Sequence, residues 1–191
     1  MRVVRQRRRE IALPVIVFIL ALLCPGCGQS GSAKKIINTA NPSDPTNQLA
    51  LGYKFYLGEE VPQNLTKAAE LFRKAAEAGN PEAQFALGSM YQNGLGVVVN
   101  YMEANQWHSK AANQGYADSQ FLLGLSYRNG TGVIKDSLEA YKWLHLAAEQ
   151  GDIEHIEIRD ALALLLTPDM VAEGRRRADE FTRNKSVASA N

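Results

Sequence analysis

Sliding the chain against itself by 36 residues aligns three blocks without a gap. A fixed period of that length restricts the fold to a stack of like supersecondary units. Gly52, Gly88 and Gly124 coincide, as do Gly58, Gly94 and Gly130, then Val61, Val97 and Val133. Ala68, Ala104 and Ala140 share a position, as do Leu71, Trp107 and Trp143, and Gly79, Gly115 and Gly151 close the blocks. Gln48, Gln84 and Gln120 are identical in all three.

Within a block the pattern reads as two helices. Asn80 caps the first and Pro81 fills its first turn, where a missing N–H costs nothing; Asp44-Pro45 repeats the pair, and Asp152 supplies the cap after block three. Ala83, Leu87 and Tyr91 recur at four-residue spacing and make one apolar face. Gly88 sits on that face, inside a helix, where it costs about 1 kcal/mol against alanine, so a neighbouring helix is expected to come too close for a Cβ. Gly94-Leu95-Gly96-Val97 ends the first helix, with glycines available for left-handed conformations. The G-x-G spacing resembles a phosphate loop, but no strand precedes it, and a helix–helix turn is the better reading. Asn64, Asn100 and Asp136 cap the second helix, and Glu103 and Glu139 stand where a capping box would place them. Ala104, Trp107, Ala111 and Ala112 form its buried stripe. Two helices this short cannot bury both apolar faces alone, so stacking must create the core. The fold class is therefore all-α, an α-solenoid of antiparallel helix pairs.

Residues 44–79, 80–115 and 116–151 are the three blocks, and residues 152–183 read as a closing helix pair that covers the last apolar face. Thr167 caps its second helix and Pro168 fits the first turn. Arg175, Arg176 and Arg177 read as the solvated side of that helix, and residues 184–191 as a disordered tail.

Charge separates the N-terminus from the rest. Five of 21 basic residues and one of 20 acidic residues lie in residues 1–26, which leaves 16 basic against 19 acidic. A mildly acidic domain argues against a nucleic-acid partner. Residues 1–27 have the basic start, apolar stretch and small-residue boundary of a secretory signal. The apolar stretch from Ile11 to Cys24 reaches roughly 21 Å as a helix, short of the ~30 Å hydrocarbon core. Leu22-Leu23-Cys24-Pro25-Gly26-Cys27 resembles a bacterial lipoprotein signal, which implies lipidation at Cys27; ordinary cleavage after Ala33 and an uncleaved anchor are the alternatives. Residues 28–43 read as a flexible tether spanning about 20–24 Å. The chain is thus expected to be exported, periplasmic or anchored in a membrane facing the periplasm. From Gly28 onward there is no cysteine, so the domain holds neither a disulfide framework nor a cysteine-ligated zinc site. Cys24-x-x-Cys27 lacks the βαβ context of a redox motif.

The block pattern resembles the Sel-one-like repeat family, a tetratricopeptide-like branch, over residues 44–151. Block two supplies Ala83, Leu87, Gly88, Tyr91, Gly94, Gly96, Val97, Asn100, Ala104, Trp107, Ala111, Ala112 and Gly115. Block one departs at Glu60 and Leu71, as a terminal repeat does. The resemblance implies a scaffold that binds another protein or peptide, with no cofactor. Related exported repeat proteins with many paired cysteines have been linked to β-lactam hydrolysis, and this chain lacks those cysteines.

No catalytic motif stands out: there is no G-x-S-x-G elbow, H-E-x-x-H or P-loop. His108 and His145 occupy inequivalent repeat positions and, with His155, read as surface or partly buried side chains rather than metal ligands. Glu59 and Glu60 are adjacent and loop-borne, with no pocket to separate their pKa values. The expected role is a non-catalytic interaction scaffold, with an envelope hydrolase as the alternative. In superhelical stacks the first helices line the concave side. The groove is therefore assigned to Leu49, Tyr53, Tyr56, Phe85, Ser89, Gln92, Phe121, Leu125 and Arg128, an apolar strip of the kind that marks a partner site.

Overall fold

Side-chain caps start every helix of the three blocks except the first of block three, and a left-handed glycine ends the first helix of each. The computed structural model describes residues 44–189. Eight helices run through them: α1 (Pro45–Leu57), α2 (Leu65–Glu77), α3 (Pro81–Asn93), α4 (Tyr101–Gln114), α5 (Ala117–Asn129), α6 (Ser137–Ala148), α7 (Ile153–Ala163) and α8 (Pro168–Ser189). No strand occurs among the described residues, and the molecule is an all-α solenoid. The signal, tether and Cys27 readings lie outside the described residues.

Asp44, Asn80 and Asp152 accept hydrogen bonds from the first turns of α1, α3 and α7. Asn64, Asn100 and Asp136 do the same for α2, α4 and α6. Gly58, Gly94 and Gly130 close α1, α3 and α5 in the left-handed region. Block three departs at Tyr116, which gives α5 no side-chain cap; its ring instead packs 5.1 Å from that of Phe85. The two capping boxes do not form. The Glu103 carboxylate accepts from Trp107 Nε1, and that of Glu139 accepts from Lys142 and Arg177. The N–H groups of Asn100 and Asp136 donate to the carbonyls of Tyr91 and Tyr127 instead. An orphan donor already taken by the preceding helix leaves nothing for the glutamate to satisfy.

The mid-helix glycines explain how each pair closes. A Cβ on Gly52 would stand 2.6 Å from Phe72, one on Gly88 would stand 2.8 Å from His108, and one on Gly124 would stand 2.7 Å from Leu144. Residues 72, 108 and 144 are themselves 36 apart, so one side chain of the second helix lies on bare backbone of the first in every block. Phe72, Leu87 and Leu144 are fully buried, worth about 1.5–3 kcal/mol each.

Neighbouring blocks are joined by a ladder of amides, buried at Gln84 and Gln120 and exposed at Gln114 and Gln150. Gln84 Nε2 donates to the Ala76 carbonyl, and Gln120 Nε2 to the equivalent Ala112 carbonyl. Gln114 Nε2 donates to both the Gly79 carbonyl and Gln84 Oε1, and Gln150 repeats this toward Gly115 and Gln120. Backbone carbonyls freed at helix ends are thereby satisfied across the joint.

The second glycine of each turn meets the preceding block. A Cβ on Gly96 would run into the backbone of Leu65, and one on Gly132 into that of Tyr101. Glu60 holds the same place in block one with φ +62° and ion-pairs with Lys54 at 2.5 Å. Among the described residues no earlier block lies beside it.

The closing helices both pack on α6. Gly174 of α8 lies against the Tyr141 ring, Arg175 donates to the Tyr141 hydroxyl, and Phe181 meets Trp143 edge-on at 5.2 Å. Arg175 and Arg176 lie on the solvated side of α8 and Arg177 is half-buried; Arg176 pairs with Glu173 and Glu180, and Arg177 with Glu173 and Glu139. Of the expected disordered tail, residues 184–189 are corrected: they are helical. Helix α8 continues to Ser189, and Lys185 Nζ donates to the Gln114 carbonyl at 2.5 Å.

Gly96→Ala is expected to cost at least about 2 kcal/mol, since it adds left-handed strain to a backbone clash. Glu60→Gly should change stability by less than about 1 kcal/mol, strain relief offsetting lost chain stiffness and an exposed ion pair. Urea unfolding of both variants checks this, and equal effects would refute the packing account.

Candidate functional site

The first helices place one side-chain set side by side from block to block. The Glu82 carboxylate of α3 lies beside the Tyr53 hydroxyl of α1. Burial, then that carboxylate, raises the Tyr53 phenol well above its ordinary range. Tyr116, just before α5, feels both Glu82 and Asp118, and burial ahead of these charges pushes it up to about 12. Asp118 Oδ1 lies 3.8 Å from His155 Nε2 on α7, and burial holds its carboxyl above the usual value. Aromatic rings lie beside this polar line. Phe85 packs against Tyr116, and Phe121 stacks on His155 at 4.3 Å. Tyr53 and Tyr56 lean on Phe72 with centroids 5.0 and 6.4 Å away.

Of the nine residues assigned to the groove, Leu49 is corrected: it is a core residue, only 8% exposed, packed with Phe72, Leu87 and their neighbours. Stacking block two onto block one covers it. Tyr53, Tyr56, Phe85, Ser89, Gln92, Phe121, Leu125 and Arg128 are all half-buried. Gln92 and Leu125 line a small open pocket of about 110 Å³ between α3, α4 and α5, together with Tyr101, Asn105, Ser126 and Asn129. Arg128 donates to Asn129 Oδ1.

Sequence reasoning missed Glu82, Tyr116 and Asp118. The signal for two of them was present: Glu82 and Asp118 are one period apart, two residues into their helices, and the third, Tyr116, sits where the other blocks have a polar cap. Among the described residues no three His, Cys, Asp or Glu side chains cluster as metal ligands. The histidines are less exposed than expected. His155 is buried, and His108 is fully enclosed, with neither ring nitrogen hydrogen-bonded. At a position held by Phe72 and Leu144 in the other blocks, the imidazole fills space as an apolar ring would.

Comparison with known proteins gives the same picture. The family model described as Sel1 repeat matches residues 48–80, 81–116 and 117–152. Among solved structures, the chain is similar to a protective antigen present in uropathogenic Escherichia coli strains that displays an SLR fold. That match has 40% identity and a TM-score of 0.60, over 64% of this chain and 26% of the other. A Sel1 repeat protein from Oxalobacter formigenes matches at 37% identity and TM-score 0.58, over 59% of this chain and 46% of the other. Cysteine rich protein B of Helicobacter pylori matches at 26% identity and TM-score 0.52, over 68% and 99%. The chain thus spans 26% and 46% of the length of the first two. No curated protein sequence matches significantly.

Burial lowers the His108 pKa to about 4 from its ordinary 6.5. Below pH 6.5 the unfolded chain binds a proton that the fold refuses, so this contribution to stability is lost as pH falls toward 4. His108→Leu, which copies Leu144, should remove the effect. The stability gap between variant and wild type should widen by about 3 kcal/mol from pH 7 to pH 4. Urea titrations at several pH values check it, and parallel pH curves would sink it.

Proposed function

The chain belongs to the Sel1 repeat family, and on that premise we propose that it is a non-catalytic scaffold at a bacterial cell envelope, holding a peptide or one partner-protein face against its first helices. Members of this family are typically protein-interaction scaffolds. The observation that carries the reading is the strip from Tyr56 through Tyr53, Glu82 and Tyr116 to Asp118 and His155, which joins four successive first helices. Half-buried aromatic rings with polar tips supply contact area at low entropic cost. Held on rigid helices, they suit a helix or an extended segment laid across the blocks.

The envelope location rests on the N-terminal sequence: five arginines, then an apolar stretch and Gly26-Cys27. Cys27 is proposed to carry the lipid, which would hold the solenoid near a membrane. The hydrolase alternative has the family's cysteine-rich members as its motive, and the repeats of this chain contain no cysteine.

Tyr56→Ala combined with Arg128→Glu should weaken binding of a co-purifying partner by roughly tenfold or more, while circular dichroism still shows the folded helical state. Full retention of binding would move the site off this face. Clear turnover of a β-lactam or muropeptide by the purified protein would replace the scaffold reading with the hydrolase one. A Cys27→Ser chain should leave the membrane fraction, and its persistence there would end the lipid-anchor proposal.

A further inference from the structure

The turns between first and second helices make one edge of the solenoid, and that edge is apolar where solvent meets it. The edge is continuous: the Gly96 turn touches the backbone of Leu65, and the Gly132 turn that of Tyr101. Val98 and Ile134 occupy the same repeat position there and are 86% and 90% exposed. Met102 follows Val98 into α4 at 65%, and Leu57 ends α1 on the same side. Helix α7 takes the first-helix place of a fourth block, and Leu164 and Leu165, which follow it directly, are also strongly exposed. Stacking explains none of these side chains, and contiguous exposed apolar surface marks an interaction site.

Charge along the edge indicates the partner. From Leu95 to Met102 the central turn has no charged residue. Block one's turn carries Glu59 and Glu60, whereas block three's carries Lys135. Glu60 is taken by Lys54, and Asp136, beside Lys135, caps α6. Glu59 and Lys135 have no ion-pair partner among the described residues. An acidic end, a neutral apolar centre and a basic end form a self-complementary row. Turned antiparallel about a two-fold axis at Val98, two such rows place each Glu59 beside the other copy's Lys135, as an isologous interface requires. An anionic lipid surface would be repelled at the acidic end.

We infer that this edge is a dimerisation surface whose occupant is a second copy of the chain, leaving the first-helix groove free. Sedimentation equilibrium on the purified protein tests it. The wild type should show a reversible monomer–dimer equilibrium below about 0.1 mM. Val98→Glu with Ile134→Glu should weaken it at least about tenfold, with unchanged thermal unfolding because both side chains are solvent-exposed. Glu59→Lys and Lys135→Glu should each weaken it about threefold or more, and the double exchange should restore it. A wild type that stays monomeric, or a double exchange weaker than either single one, overturns the inference. So does a monomer that co-sediments with phosphatidylethanolamine–phosphatidylglycerol vesicles through Val98 and Ile134, which would assign the edge to lipid.

Discussion

Everything else in the solenoid depends on the close approach at Gly52, Gly88 and Gly124. Each glycine costs about 1 kcal/mol of helix propensity, offset where a side chain of the second helix settles onto the exposed backbone. That side chain is Phe72, His108 or Leu144. The approach fixes the spacing within a pair and hence where each pair leaves its outer faces. Because the contact repeats every 36 residues, Gln84 and Gln120 reach equivalent carbonyls, and the turns at Gly96 and Gly132 meet equivalent backbone.

Some of the positions that break the repeat lie where a block has no like neighbour among the described residues. Residue 69 is alanine, residue 105 asparagine and residue 141 tyrosine. Asn105 Nδ2 donates at 2.6 Å to the Thr131 carbonyl in the next block's turn. After block three no such turn follows, and the buried Tyr141 fills the space and receives Gly174 of α8. The amide ladder ends for the same reason: Ala78 stands where Gln114 and Gln150 act, and Ile156 where Gln84 and Gln120 act. A glutamate at residue 60 is the mirror case at the other end, where no described block precedes it.

Whatever depends on a residue's own helix was legible in the sequence. Period, caps and left-handed glycines each follow from chemistry within one block, and the Gly88 anomaly foretold a close neighbour. What crosses between blocks was not legible. Leu49 has the periodicity of an outward residue but is covered by block two. The glutamates of the capping boxes have the right spacing, yet the N–H they would serve is already bonded to the preceding helix. His108 reads as polar, but its partner across the pair is a glycine that offers a flat surface and no acceptor. The end of α8 has a disordered composition, and one lysine on another block's carbonyl accompanies its continued helix.

The candidate groove belongs to this second, inter-block level. Its aromatic residues acquire their environment from the adjoining block: Glu82 on Tyr53, Tyr116 on Phe85, His155 on Phe121. A single block would present bare rings, and an apolar strip without polar neighbours would favour collapse over recognition. With hydroxyls and carboxylates set beside each ring, the strip keeps directional hydrogen-bonding groups next to contact area, which is the chemistry that distinguishes one peptide from another. Four first helices give three such junctions. The number of stacked blocks therefore sets how long a segment this face can read.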